Sequence, residues 1–327
     1  MYRITVLLLT LILLLTGCAS HNDEYATCDI YAMDTLISIS LPADNENAES
    51  VLNLAQSRIS QLESILSATV EDSTLSRFNA SDDGITTDDE TLNLMKYALE
   101  IADRTDGAYD PTCLGLTQLW RVNDGGYVPT ADEVTEVLAT VDHTAVNIEG
   151  NVITKSSADI TVDFGGIAKG YTLGKVVQMM AQDIPYGMVS FGGNVGVWGQ
   201  KKDGSPWQIG IKDPYDTTRT VGMITLPDMG GYVSVSGDYE RYFEADGVRY
   251  HHIFDPDTGY PADNGIHSVA VYTNDAAIGD ALSTALFVMG YEDAMKFYDK
   301  EVYDFEALFV TDDGIVMTEG MEAMFVQ

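Results

Sequence analysis

Apolar positions along the chain recur with two periods. Residues 46–67 place Val51, Leu52, Ala55, Ile59, Leu62, Ile65 and Leu66 at helical spacing, which predicts an amphipathic helix. Thr87-Asp88-Asp89-Glu90 has the form of a capping box opening a helix through Leu94, Ala98 and Ile101, with Gly107 as its stop. Thr130-Ala131-Asp132-Glu133 repeats the device before Val134, Val137 and Leu138. Further helices are expected at 167–182, 277–289 and 291–299. Strand patterns lie between them, at Thr35–Leu41, Gly187–Phe191, Ile266–Thr273 and Phe305–Val310. Arg241–Ala245 and Val248–Phe254 flank Asp246-Gly247, a two-residue hairpin turn, and Asp313-Gly314 marks another tight turn. Strands outnumber helices in the second half and join by hairpins. The expected class is therefore α+β: one compact domain over 30–327 with a largely antiparallel sheet and flanking helices. No Gly-x-Gly-x-x-Gly follows an early strand, which argues against a doubly wound nucleotide fold.

The first residues carry a different pattern. Ile4 to Leu15 is an almost unbroken apolar run, shorter than the roughly 20 residues a spanning helix needs. It has the form of a signal-peptide core. The run ends Leu15-Thr16-Gly17-Cys18, which resembles the lipobox of bacterial lipoproteins. That resemblance implies a signal peptide over 1–17, a lipidated Cys18 and a tether over 18–29. The domain would then be anchored to the cell membrane, facing outside the cytoplasm.

Charge narrows the partners. The 327 residues hold 17 Lys and Arg against 51 Asp and Glu, a net charge of −34. Clustered Lys and Arg, which a nucleic-acid backbone requires, are lacking, so no nucleic-acid partner is expected. Electrostatic docking on anionic lipid is disfavoured for the same reason. An apolar content of 45% excludes a disordered acidic polymer. An anionic substrate would need local help, most simply a divalent cation. Three Cys are too few for a disulfide scaffold. Cys28 and Cys113 sit in no metal-binding pattern and are taken as structural, their pairing left open.

Three segments carry candidate chemistry. In Val162–Tyr171 a strand-like run leads into Gly165-Gly166 and then a helix, with Asp163 before the glycines and Lys169 after them. Glycines admit close approach of a ligand to the backbone, and a helix start offers free N–H groups to phosphate. A tight turn with a surface lysine has the same pattern. In Tyr250–Gly259, His251-His252 precede Asp255-Pro256-Asp257-Thr258-Gly259, a rigid turn. A histidine at a strand end there suits acid–base work or a turn cap, and strand alternation lets one of the pair at most face a site. Asp280 and Thr284 are four apart on an expected helix, so they share a face and present oxygen ligands suited to Mg2+. An ordinary helix-start aspartate has the same spacing. Weaker signals are Met33-Asp34-Thr35, Gly107-Ala108-Tyr109-Asp110-Pro111-Thr112, Phe191-Gly192-Gly193-Asn194 and Ser236-Gly237-Asp238-Tyr239. Trp120, Trp198 and Trp207 are expected in the core.

Taken in order, these segments, with Ser73–Asn79, resemble the ApbE family of FAD:protein FMN transferases from about Tyr31 to the C-terminus. The resemblance implies FAD as substrate, Mg2+ as cofactor, and transfer of FMN to a Thr or Ser hydroxyl of an extracytoplasmic acceptor protein, with AMP released. Carried over by motif, it implies metal ligation by Asp280, Thr284 and the Gly166 carbonyl. Met33, Ala108, Tyr109, Asp110, Asp163, Lys169 and the backbone near Phe254 would contact FAD, and His252 would be catalytic. The chain departs from the family at Asp34, where many relatives have glycine, and at Thr69, where some carry an aromatic residue. A Mg2+-dependent FAD hydrolase and a non-catalytic flavin-binding lipoprotein are the alternatives on the same pocket.

Overall fold

Chain order of the main-sheet strands is also their order in space. The computed structural model describes residues 24–327, so the signal peptide and Cys18 lie outside the described residues. Eight strands form the main sheet: Tyr25–Ala32, Thr35–Pro42, Gly187–Phe191, Asn194–Trp198, Gly230–Gly237, Ile266–Thr273, Phe305–Thr311 and Gly314–Met317. Each is antiparallel to the next. The sheet is thus a meander, and everything else is inserted in its connections.

The longest insertion, between Pro42 and Gly187, holds the helices Ala48–Leu66, Asp89–Arg104 and Ala168–Met180 and a small sheet of Gly84–Thr86, Val146–Glu149 and Val152–Lys155. Another carries Gln208–Lys212 and Thr220–Thr225. The connection from Gly237 to Ile266 contains the hairpin Tyr242–Ala245/Val248–His251, and the next carries helix Ala276–Met289.

Alternation along the strands fills both faces of the sheet. Ile37, Ile39, Val189 and Phe191 meet Val51, Ala55 and Ile59 of one helix and Leu173 and Val176 of another. Val197, Val233, Ala270 and Leu308 point the other way, against Trp207, Ile209 and Ile211. Helices Ala168–Met180 and Ala276–Met289 lie against each other on the first face. A Cβ on Gly170 would overlap the Ala276 carbonyl oxygen, so glycine is required for that approach.

Local expectations met particular outcomes. The Thr130 capping box forms, with Glu133 reaching back to the Thr130 N–H. At the other site the cap moves by one residue. Asp88 accepts from the Thr91 N–H at 2.9 Å, because a carboxylate there satisfies both the Thr91 amide and its hydroxyl. Asp246 and Gly247 both have positive φ, 51° and 81°, as the hairpin turn requires. Strand Tyr25–Ala32 is a correction, since Tyr25–Asp29 were assigned to the tether. Paired through all eight positions to Thr35–Pro42, it is an edge strand with only two of its residues buried, which weakens its apolar signal. Cys28 and Cys113 are both free thiols.

Candidate active site

Two adjoining cavities open beside the start of helix Ala168–Met180. The inner one, of about 140 Å3, is lined by every candidate site residue among those described except Met33. The outer one, of about 590 Å3, is lined by Met33, Asp34, Thr69 and Tyr239 among others. Asp163, Lys169, Glu240 and Arg241 line both, so the two form one cleft. Its size falls in the range of about 300–1,000 Å3 common for ligand sites.

The glycine turn is held from both sides. Asn79 brackets Val162, donating from Nδ2 to its carbonyl and accepting its N–H at Oδ1, each at 2.8 Å. Asp163 donates its N–H to Pro111 O at 2.7 Å and accepts the Gly165 N–H at Oδ1, 2.9 Å away. Lys169 Nζ folds back on Gly165 O at 2.8 Å. The next link departs from helical habit. Regular geometry would give the Gly170 N–H to Gly166 O. Instead it goes to Asp280 Oδ2 at 2.8 Å, and among the described residues no backbone N–H donates to the Gly166 carbonyl.

Asp280, from the adjacent helix, is buried, and its Oδ1 accepts from Asn194 Nδ2 at 2.9 Å. One turn on, Thr284 Oγ1 lies 3.2 Å from Ser236 Oγ, and a Cβ on Gly166 would sit 3.6 Å from it. Asp280, Thr284 and Gly166, whose carbonyl is undonated, therefore line the same cavity. Each Asp280 oxygen accepts a single hydrogen bond and keeps a lone pair. Asn194 Oδ1, beside this carboxylate, is buried without a partner. Among the described residues there is no cluster of three His, Cys, Asp or Glu. The set is of hard oxygen donors that leave most positions to water and substrate oxygens, which is the preference of Mg2+. On that test the residues fit the ion.

His252 stands just beyond the strand, which ends at His251 rather than running on to Phe254 as expected. The break separates the two histidines. His251 is buried with Nε2 on Ala262 O at 3.0 Å and its ring edge-on to Phe287. His252 lines the inner cavity. Its Nδ1 lies 3.2 Å from Arg241 O, an oxygen that only accepts, so Nδ1 carries the proton and Nε2 is left with its lone pair. Burial, with Arg241 and Lys169 nearby, holds His252 well below the ordinary value, so the ring is neutral at pH 7. The turn after it is built as its residues suggest. Asp255 accepts from Asp257 N–H at 2.9 Å and Thr258 Oγ1 at 3.0 Å, and Trp120 Nε1 donates to Gly259 O at 2.9 Å.

Asp110 is placed differently from a direct ligand group. Its carboxylate accepts from Thr112 N–H and Oγ1 at 2.8 and 2.5 Å and pairs with His143 Nδ1 at 2.8 Å. It shapes the Ala108–Thr112 loop, which presents the buried Tyr109 to the cavity. Burial beside Asp163 raises the Tyr109 phenol well above its usual range, so it remains a donor, with no partner for its hydroxyl.

Glu240 and Arg241 were missed by sequence reasoning. They follow directly on Ser236–Tyr239, a segment noted among the weaker signals. Burial raises Glu240, with Lys169, Arg241 and Lys212 pulling it back. Asn194 and Ser236 lay inside weak glycine motifs, and their roles emerge only from contacts with the Asp280–Thr284 helix. Lys169, Arg241 and Lys212 bring positive charge into the cleft of this acidic protein, beside Asp34, Glu63, Asp163 and Glu240.

Known proteins are similar to this chain in sequence and fold. A family model described as the ApbE family matches residues 33–309. A Vibrio cholerae protein named FAD:protein FMN transferase is 37% identical over 251 residues, 75% of each chain. One of the same name from Treponema pallidum is 32% identical over 319 residues, 91% of this chain and 87% of the relative. The crystal structure of the ApbE protein from Thermotoga maritima superimposes with a TM-score of 0.85 at 35% identity, covering 93% of this chain and all of that one. The flavin transferase ApbE from Vibrio cholerae gives 0.81 at 30% identity, covering 92% and 99%.

Proposed function

This chain belongs to the ApbE family, and from that premise we propose that it is an FAD:protein FMN transferase. It moves FMN from FAD to a Thr or Ser hydroxyl of an acceptor protein and releases AMP. The observation that carries the reading is the meeting, in one cavity, of a neutral histidine with a free Nε2, a lysine, and the Gly166–Asp280–Thr284 oxygen set.

The reaction is phosphoryl transfer, which is accelerated chiefly by positioning and charge neutralisation. A bond forms between the acceptor oxygen and the FMN phosphorus while the bond from that phosphorus to the AMP oxygen breaks. The hydroxyl proton passes to His252 Nε2, whose depressed pKa keeps it available as base. Lys169 and Arg241 supply positive charge to the phosphate oxygens in a protein whose overall charge repels them. Gly166 O, Asp280 and Thr284 would hold Mg2+, which when bound neutralises charge on the phosphates. The Arg241 carbonyl fixes the His252 tautomer, and the Trp120 anchor fixes the turn behind it.

The signal and Leu15–Cys18 support placement of the enzyme on the outer face of the cell membrane through lipid on Cys18. No helix among the described residues is long and apolar enough to cross a membrane. Loss of membrane association in Cys18→Ala would test the anchor.

Incubation with FAD, Mg2+ and a secreted candidate acceptor, followed by intact mass, tests the activity. The expected result is a gain of one FMN on the acceptor, with equimolar AMP and loss of both when the metal is chelated. AMP without a mass gain would mean hydrolysis. Neither product, with FAD retained, would mean a binding protein.

A further inference from the structure

Outside the cavity, His267 joins two carboxylates. Its Nδ1 lies 2.8 Å from Asp238 Oδ2 and its Nε2 2.9 Å from Asp312 Oδ1. Carboxylates accept and do not donate, so both ring nitrogens carry protons, and the geometry describes an imidazolium between two anions. The backbone is arranged for it. Ile266 pairs with Thr311 and Ser268 with Val310, which leaves His267 as the extra residue of a β-bulge. A bulge re-aims one side chain out of the alternation. The Asp238 N–H donates to His267 O at 3.1 Å, and the Asp312 N–H to Gly265 O at 3.0 Å, so both carboxylates sit on backbone tied to the same bulge.

Asp238 opens the strap Asp238-Tyr239-Glu240-Arg241, and Glu240 and Arg241 line both cavities. The Arg241 carbonyl accepts from the His252 ring and backbone, each at 3.2 Å. We propose that His267, in its charged form, is a positioning residue for FMN transfer: it clasps Asp238 to Asp312 and thereby holds Glu240, Arg241 and the His252 tautomer in place. The proposal rests on the transferase reading above.

The groups facing His267 are few. Asp238 comes from the end of strand Gly230–Gly237, Asp312 from the turn after Phe305–Thr311, and Tyr215 lays its ring 5.1 Å away. Arg249, from the hairpin, reaches Asp238 Oδ1 at 3.8 Å and opposes the imidazolium. The carboxylates prevail over burial and raise His267 above its ordinary 6.5. The clasp is therefore complete below about pH 6.5 and is lost as pH rises through the higher folded value.

The test combines rate and titration. In the wild type, kcat/KM for FAD should fall several-fold as pH rises through the His267 titration followed by NMR on the same protein. Asp312→Asn removes one anion at an exposed position, so both curves should move together to lower pH by about half a unit. His267→Gln brings no positive charge between the two carboxylates and does not titrate, so its kcat/KM should sit at the low alkaline level with that limb absent. Thermal melts identify a variant that fails to fold, and Asp312→Asn then carries the test alone. If the His267 titration moves in Asp312→Asn while the rate profile stays, the proposal is overturned. A neutral His267 at pH 6 overturns it too. If the wild type transfers no FMN at any pH, the transferase reading fails instead. The pH dependence of FAD affinity then still decides whether the clasp governs the cleft.

Discussion

The inner and outer cavities share eight lining residues but differ in what else builds them. The inner one includes the contact of two helices, where the Gly170 N–H meets Asp280 while strand residue Asn194 holds its other oxygen, and the turns at Asp163–Gly166 and His252 complete it. The outer one is walled by connections: the Met33-Asp34 turn, Ser67–Val70 and the strap at Tyr239–Arg241. Regular elements fix atoms for chemistry, whereas loops tolerate exchange where a substrate's larger body is received. Both departures from the family pattern, Asp34 and Thr69, fall in the outer cavity. Substitutions should divide accordingly, with rate and fold effects inside and affinity effects outside.

The largest effect is expected at His252. His252→Ala should lower kcat by about 10²–10⁴-fold while leaving FAD affinity near wild type, as loss of a general base does. The wild-type profile carries a sign. Because His252 is held well below 6.5, its base form persists on the acid side of neutrality. The acid limb of kcat/KM should therefore lie clearly below pH 6.5, and the optimum between this depressed histidine and the raised His267. Steady-state rates from about pH 5 to 9 check both limbs. An acid limb near 6.5 would mean that His252 is not the base.

Next in size is the helix contact. Gly170→Ala puts a methyl where Ala276 O and the Asp280 side chain already stand. The helices must separate, and the Gly170–Asp280 hydrogen bond goes with them. A loss of about 3 kcal/mol is expected, read from chemical denaturation, with transfer weakened by less than in His252→Ala. Gly174→Ala is the control four residues on. Its Cβ would meet Ala276 Cβ at 3.5 Å, ordinary contact, and the better helix former should stabilise by about 0.5–1 kcal/mol. Equal effects at the two positions would show that the contact does not organise the site.

How far the sequence discloses all this follows the same division. The long helices are legible because each writes its period within one segment: Val51 to Leu66 are buried as spaced, and the Asp280–Thr284 pair shares a face. The glycine turn is legible because a strand, two glycines and a helix start are contiguous. What is hidden depends on partners far along the chain. Asn79 grips Val162 across 83 positions. Asp238 and Asp312 lie 29 and 45 residues from the histidine they hold. Glu240 and Arg241 carry no local signal, since a charged pair before a hairpin looks like solvated surface. The bulge that turns His267 aside is set by pairing register, which no local pattern specifies.

In the outer cavity, Thr69 is exposed beside Val70, with its hydroxyl 3.0 Å from Ser67 Oγ. It stacks on nothing. Thr69→Tyr would place a ring at the cavity edge and lower KM for FAD by about two- to tenfold, the size of one aromatic contact, with kcat unchanged. A change in kcat instead would mean that the outer cavity helps to align the reacting phosphate.

The smallest effect is expected at the Met33-Asp34 turn, and it separates two reasons for glycine there. Met33 and Asp34 both have positive φ, 52° and 57°, as a two-residue hairpin loop demands. Glycine adopts this backbone freely, and aspartate tolerates it at modest cost. Asp34→Gly should therefore stabilise by about 0.5 kcal/mol. It also removes an anion from the cleft wall, one that adds to the pressure raising Asp163. KM for FAD should then fall slightly at low salt, and the difference should vanish as ionic strength rises to about 1 M, where screening is short-ranged. A gain in stability with no salt-dependent change in KM would make the turn purely a backbone device. A KM change that persists in high salt would show that the Asp34 side chain touches the substrate.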